Sequence, residues 1–169
     1  MLREFRKPLI VMSPKSLLRH KLAVSEMEAL AEGQFERVIG EINADIVADK
    51  VRRVVLCSGK VYYDLLQKRR EDKISDVVLI RLEQLYPFPL KEVKEILAQY
   101  PEQAQYVWVQ EEPRNQGAWL KVLESTLDEL GSRRLHYIGR EESASTAAGY
   151  TKVHNAEQAA LVDEALKVS

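Results

Sequence analysis

Tyr106-Val107-Trp108-Val109-Gln110-Glu111-Glu112-Pro113-Arg114-Asn115-Gln116-Gly117-Ala118-Trp119 is the stretch whose reading decides the fold. Its first four residues are β-branched or aromatic and read as a buried strand. Glu111 and Glu112 fall where that strand should emerge. Pro113 lacks an amide donor and is expected to stop the ladder. Asn115, Gln116 and Gly117 supply short polar groups and a permissive backbone for a turn, and Ala118-Trp119-Leu120 opens a helical pattern. Strand, polar turn and helix in that order mark the working edge of an open α/β sheet, without identifying a catalytic group.

Outward from this stretch the same alternation recurs. Leu9-Ile10-Val11-Met12 is a strand candidate, followed by Ser13 as a helix cap with Pro14 in the first helical position. A modest helix over residues 25–31 breaks at Gly33, and residues 34–39 resume an extended pattern. Residues 40–50 read as a connection of unassigned conformation. Residues 53–57 are a clearer strand. Tyr62, Leu65 and Leu66 give residues 61–70 one apolar helical face, with Lys68, Arg69 and Arg70 at the carboxyl end, where positive charge is favourable. Residues 77–80 form the next strand.

Pro87-Phe88-Pro89 keeps the backbone extended before a helix from Leu90 that buries Val93, Ile96 and Leu97. The helix after the organising strand carries Trp119, Val122, Leu123, Leu127 and Leu130 and ends at Gly131. Residues 135–138 make a fifth strand, residues 139–145 a polar loop, and a terminal helix capped around His154 carries Leu161, Val162, Ala165 and Leu166. Crossover-length connections between strands predict a three-layer α/β/α domain on a mostly parallel sheet, one domain over residues 1–169.

Composition narrows the function classes. The 169 residues are 46% hydrophobic and 30% charged, the profile of a soluble globular chain. The 25 basic and 26 acidic residues leave a formal net charge of -1, which gives no broad field for nucleic acid or an anionic membrane. No apolar stretch approaches the ~20 residues that span a bilayer. Cys57 is the single cysteine, so an intramolecular disulfide is excluded. A cytoplasmic location is the plain expectation, although a mature organellar chain would have the same composition.

Motifs of known chemistry are weak one by one. Ser58-Gly59-Lys60 follows a strand, but the GxxxxGK[ST] spacing of a phosphate loop is absent. Glu111 and Glu112 are adjacent, which says nothing of the carboxylate separation that a glycosidase requires; contacts between domains or subunits, with hydrogen bonds through Asn115 and Gln116, suit them better. Trp119 reads as core. His20, His136 and His154 are far apart and have no metal-ligand spacing. A distributed anion site is the sharper alternative: Lys15 and Arg19 by the first helix, with Gln84 and Lys91 around the Pro87-Phe88-Pro89 loop.

Four blocks in register carry a resemblance. Met12-Ser13-Pro14-Lys15-Ser16-Leu17-Leu18-Arg19-His20, Cys57-Ser58-Gly59-Lys60-Val61-Tyr62-Tyr63-Asp64-Leu65, Arg81-Leu82-Glu83-Gln84-Leu85-Tyr86-Pro87-Phe88-Pro89 and Glu111-Glu112-Pro113-Arg114-Asn115-Gln116-Gly117-Ala118-Trp119 closely resemble the carboxyl-terminal domain of the 2-oxoglutarate dehydrogenase decarboxylating component, a transketolase-type family. The likeness runs from about Leu9 to Leu166. It implies a mixed five-stranded sheet between helices, with residues 1–8 a linker remnant.

The resemblance also implies a parent that uses thiamine diphosphate and magnesium, in the tricarboxylic acid cycle. That parent decarboxylates 2-oxoglutarate oxidatively and passes a succinyl group to a lipoyl arm on a succinyltransferase component. The cofactor-binding domains precede this one in the long chain, and a second copy completes a homodimer. No catalytic, cofactor-binding or metal residue is assigned here, and this chain is expected not to catalyse the reaction alone. The resemblance further implies a regulatory role, since in actinobacterial relatives this domain looks like the acetyl-coenzyme A effector domain. Gln84 and Lys91 match a polar and a basic residue of that site, Arg37 falls in its region, and Glu92 stands where those relatives carry a basic residue. A nucleotide effector is a less specific extension. The readings from other classes are a stand-alone phosphate-ligand or acyl-coenzyme A binding module, and an independent enzyme using Ser58-Gly59-Lys60 or the glutamate pair.

Overall fold

Arg53–Cys57, Val77–Leu82 and Gln105–Pro113 lie side by side as parallel strands in the computed structural model, which describes residues 4–8 and 10–168. In chain order the elements are α1 (Met27–Ala31), β1 (Val38–Ile39), β2 (Arg53–Cys57), α2 (Val61–Glu71), β3 (Val77–Leu82), α3 (Leu90–Leu97), β4 (Gln105–Pro113), α4 (Trp119–Thr126), β5 (Leu135–Arg140) and α5 (Thr151–Leu166). The sheet order is β1-β3-β2-β4-β5, with β1 antiparallel to β3 and the other neighbours parallel.

Every residue of β2 is buried because helices cover both faces of the sheet. Strand alternation sends Val54 and Leu56 to one side, against Val93 and Leu97 of α3 and Trp119 and Val122 of α4. Val55 and Cys57 go to the other, against Tyr62 and Leu65 of α2 and Leu161 and Val162 of α5. Each fully buried aliphatic side chain contributes about 1.5–3 kcal/mol, and two such cores make a three-layer α/β/α sandwich. The chain leaves β2 over the α2 face to reach β3, then returns over the α3 face to β4. The strand order therefore reverses between β2 and β4, and their carboxyl ends flank a switch point.

The first strand in the chain is not the one expected. Leu9 lies outside the described residues, and Ile10, Val11 and Met12 are exposed and belong to no strand. The edge is taken by Val38 and Ile39, opposite Leu82 and Arg81. Glu41 then replaces the missing backbone partners: its Oε2 accepts from the Leu79 amide at 2.9 Å, and its Oε1 accepts from Arg69 Nη2 at 2.8 Å. Arg69 Nη1 also donates to the Val77 carbonyl at 3.0 Å. A buried ion pair thus closes the edge of β3 beyond a two-residue strand.

Other boundaries move for local reasons. The helix expected from Pro14 is a short 3-10 turn, Lys15–Leu17, with no side-chain cap from Ser13. Pro113 does not stop the ladder but ends β4, paired with Arg140 across an irregularity in register. α4 stops at Thr126, whose hydroxyl bonds back to the Val122 carbonyl at 2.8 Å, so Leu127 is exposed although Leu130 is buried. α5 begins at Thr151, a turn before His154, without a side-chain cap. Its carboxyl end is closed by the buried Arg53, whose Nη1 donates to the Glu164 and Ala165 carbonyls at 2.6 and 3.0 Å.

Candidate functional site

Gln110 sits at the centre of the strand–turn–helix edge. Alternation along β4 points it inward, and it is 3% exposed. Its Oε1 accepts from Trp108 Nε1 at 2.9 Å, the Trp119 amide at 2.9 Å and the Ala118 amide at 3.2 Å, so it closes the amino end of α4 from the strand side. Its Nε2 donates to the carbonyls of Gln116 at 2.7 Å and of Glu112 and Pro113 at 3.2 Å each. Gly117 passes over this amide with φ +66, and a Cβ there would stand 2.9 Å from Gln110 Nε2.

The turn in front of Gln110 is tied to the loop after β5. Asn115 donates to the Ser143 carbonyl at 3.0 Å and accepts from the Ser143 amide at 3.1 Å; Gln116 Nε2 donates to the same carbonyl at 2.9 Å and to that of Ser145 at 3.2 Å. Trp119 is buried, its ring 5.4 Å from that of Tyr137. The side chain of Glu112 is exposed while its carbonyl accepts from the Tyr137 hydroxyl at 3.1 Å. Asn115, Gln116 and Trp119 therefore hold the edge in shape through contacts within this chain.

Glu111 faces the other way, across the switch point. Lys60, in the turn after β2, lies 2.7 Å from Glu111 Oε1 and 3.1 Å from Asp64 Oδ2, and Gln158 of α5 donates to that same oxygen at 2.7 Å. Burial works against the Lys60 charge, yet the hydrogen bonds and charges of Glu111 and Asp64 hold its pKa above the usual lysine value. Gln158 also lies 3.4 Å from Arg140 Nη2, which stands 2.9 Å from His154 Nδ1. Arg140 Nε is 3.1 Å from Glu157 Oε2, without the alignment of a hydrogen bond. Polar groups of β4, β5, α2 and α5 thereby form one chain along the carboxyl edge.

The residues matched to an effector site lie at the far side of that edge. The carbonyl of Arg37 accepts from the Glu83 and Gln84 amides at 2.9 and 3.1 Å, and its guanidinium is ion-paired with Glu92 of α3. Gln84 Nε2 donates to the Pro87 carbonyl at 2.6 Å. Lys91 projects into water, its Nζ 3.9 Å from Glu95. Arg19 does not join them: it lines a hollow with His20, Gln67, Arg70 and Glu71 on the α2 face, and Lys15 is exposed in the turn before it. The distributed anion site drawn from Lys15, Arg19, Gln84 and Lys91 is thus divided between opposite faces of the sheet.

Thiamine diphosphate and a divalent metal do not fit the donor set at the switch point. The described residues include no group of three or more His, Cys, Asp or Glu placed to hold a metal ion. Lys60, in the turn after β2, already faces two carboxylates, which disfavour a diphosphate. No helix of the described residues is long and apolar enough to cross a membrane.

A mixed five-stranded sheet between helical layers, with its polar groups gathered at the switch point, is consistent with a carboxyl-terminal domain of the transketolase type. Sequence comparison agrees in detail. The chain belongs to the 2-oxoglutarate dehydrogenase C-terminal family, whose model matches residues 24–166. It is 53% identical over 168 residues to the 2-oxoglutarate dehydrogenase E1 component of Haemophilus influenzae, a match covering 98% of this chain and 18% of that protein. The corresponding protein of Cupriavidus necator is 51% identical over 166 residues, covering 98% and 17%, and that of Azotobacter vinelandii 47% over 174 residues, covering 99% and 18%. The chain thus spans less than a fifth of the length of these relatives.

Reading the sequence alone missed Gln110, Lys60 as the partner of Glu111, and the Glu41–Arg69 pair. Gln110 had a usable signal: a polar residue at an inward position of an otherwise apolar strand, seven residues before a glycine. The other two pair residues 51 and 28 positions apart in the chain, and no local pattern announces them.

Proposed function

We propose that this chain is a support and assembly domain of a thiamine diphosphate-dependent 2-oxoglutarate dehydrogenase, itself without a catalytic residue. The observation that carries the proposal is the internal pairing of the carboxyl edge: Gln110, Asn115 and Gln116 hold the turn, and Lys60, Glu111, Asp64 and Gln158 satisfy one another. Such an edge is a rigid surface that can position a reaction centre built by neighbouring domains and a second copy, without itself moving a proton. Transfer to a lipoyl-bearing succinyltransferase component would then be a property of the whole assembly. The test is turnover of 2-oxoglutarate with thiamine diphosphate and magnesium by the purified 169-residue chain. None above background is expected, and saturable turnover would contradict the proposal.

As a secondary role we propose effector recognition at the Gln84–Lys91 rim. There the Arg37–Glu92 ion pair opposes an anionic ligand by occupying one of the cations. Lys91 is left as the exposed charge. Titration with acetyl-coenzyme A and with adenine nucleotides should give weak binding that strengthens in Glu92→Gln; no binding by either protein would remove this role.

A further inference from the structure

The two halves of α5 are held to the domain by different forces. Leu161, Val162, Ala165 and Leu166 are buried in the core that α5 shares with α2, so hydrophobic burial fixes the carboxyl half. No residue from 151 to 160 is buried, and in that stretch only His154, Glu157 and Gln158 are partly shielded from water. The first turn has no side-chain cap either. The loop that leads into it, residues 141–150, is exposed at all but Ser143 and Ala148.

Polar contacts hold the amino half, and Arg140 of β5 is their hub. Its side chain is 11% exposed, with Nη2 at 2.9 Å from His154 Nδ1 and 3.4 Å from Gln158 Oε1, and Nε at 3.1 Å from Glu157 Oε2. Gln158 also donates to Asp64 of α2. The charged and titratable groups around His154 are therefore Arg140 from β5, Glu157 from α5, and Asp64 and Lys60 from α2 and the turn before it, with Glu111 of β4 beyond Lys60. Glu141 and Glu142 of the loop line a second hollow with Arg140 and Glu157. A guanidinium has donors only, so Nδ1 must present its lone pair to Nη2, and the contact requires a neutral ring. A proton on Nδ1 would set two N–H groups and two positive charges against each other. Arg140 keeps its own charge and is pinned by Glu157 and Gln158, which leaves the ring as the part that moves. His154 also lies in the first turn of α5, where positive charge opposes the helix dipole.

We propose that Arg140 and His154 form a pH-sensitive latch: the neutral imidazole fastens the amino half of α5 to β5, and its protonation releases residues 146–158 while residues 161–166 stay packed. Asn115 and Gln116 keep their hold on Ser143 and Ser145, which confines the release to the far part of the loop and the first two turns of the helix. The order of the carboxyl edge then follows pH, with no change in the sheet beneath it.

The experiment is amide hydrogen exchange of the 169-residue chain at about pH 8 and about pH 5.5, which bracket the usual titration of imidazole, with rates corrected for the intrinsic effect of pH. Protection at residues 154–158 is expected to fall at least ~10-fold at the lower pH, while that at residues 161–166 changes less than ~2-fold. His154→Asn puts an amide oxygen that does not titrate in place of Nδ1, and should remove the pH dependence. Arg140→Met should leave residues 154–158 weakly protected at both pH values; if that variant fails to fold, the comparison with His154→Asn decides alone. Equal protection of residues 154–158 at the two pH values in the unsubstituted chain would overturn the proposal. So would a pH dependence that persists in His154→Asn, which would assign the titration to Asp64, Glu157 or another carboxylate, or full protection in folded Arg140→Met.

Discussion

Lys60 Nζ lies 2.7 Å from Glu111 Oε1, joining the turn after β2 to the carboxyl end of β4 across the point where the strand order reverses. Because the folded pKa of Lys60 is raised, its contribution to stability is complete below the unfolded value of about 10.4 and is lost as pH rises through the folded value. Lys60→Met should cost on the order of 1 kcal/mol at neutral pH, since the pair is only partly shielded from water. It should also flatten the alkaline loss of stability. Thermal denaturation of both proteins between pH 7 and about 12 checks this.

Gln110→Glu should act with the opposite dependence on pH. The substitution keeps an acceptor for Trp108 and Trp119 but puts a carboxylate oxygen where an amide donates to three carbonyls. A buried charge facing carbonyl oxygens has a raised pKa, so the loss should be about 3 kcal/mol or more at neutral pH. It should shrink as pH falls and the new acid becomes a donor. Urea denaturation at pH 7 and pH 5 measures the difference.

Arg69→Met should be the most damaging of these changes, at about 3–5 kcal/mol, because it leaves Glu41 buried and unpaired. Burial favours the protonated acid, but the hydrogen bonds of Arg69 and the Leu79 amide hold the Glu41 pKa below the ordinary value. The stability it lends is therefore present above a pH of about 4.3 and lost as pH falls through the folded pKa. Glu41→Leu combined with Arg69→Met should recover more than half of the Arg69→Met loss. Tm values of the two singles and the double settle it.

Gly117→Ala and Gly131→Ala separate backbone strain from contact. Both glycines have positive φ, +66 and +62, but a Cβ at Gly131 meets open space and one at Gly117 meets the Gln110 amide. Each should cost about 1–3 kcal/mol for the left-handed backbone, with Gly117→Ala the larger. In a Gln110→Ala background the excess at Gly117 should vanish, a coupling that a double-mutant cycle reads directly.

The layers of this fold were legible because residues 54–57, 77–80 and 106–109 of β2, β3 and β4 are buried on both faces and are apolar without a break, while the helices between them keep one apolar stripe. The edge strand was not legible. Residues 9–12 have a strand's composition, but Ile10, Val11 and Met12 find no sheet in this chain; Val38 and Ile39 are too few to show a period and are fixed by Glu41, whose partner Arg69 is 28 residues away. At the site, Asn115, Gln116 and Trp119 were visible from turn chemistry and helical spacing. Gln110 passed as the last polar residue of a strand, because its six partners come together only once β4, the turn and α4 are folded.

A domain that supports a reaction housed elsewhere should tolerate loss of its most suggestive acid. The decisive measurement is kcat per assembled site, with Glu111→Gln, in a full-length chimera carrying this chain in place of the matched section of the Haemophilus influenzae protein. It is expected to stay within about 3-fold of the chimera without the substitution; a loss of about 100-fold or more, with assembly intact, is what removal of a general acid or base produces and would contradict a non-catalytic edge.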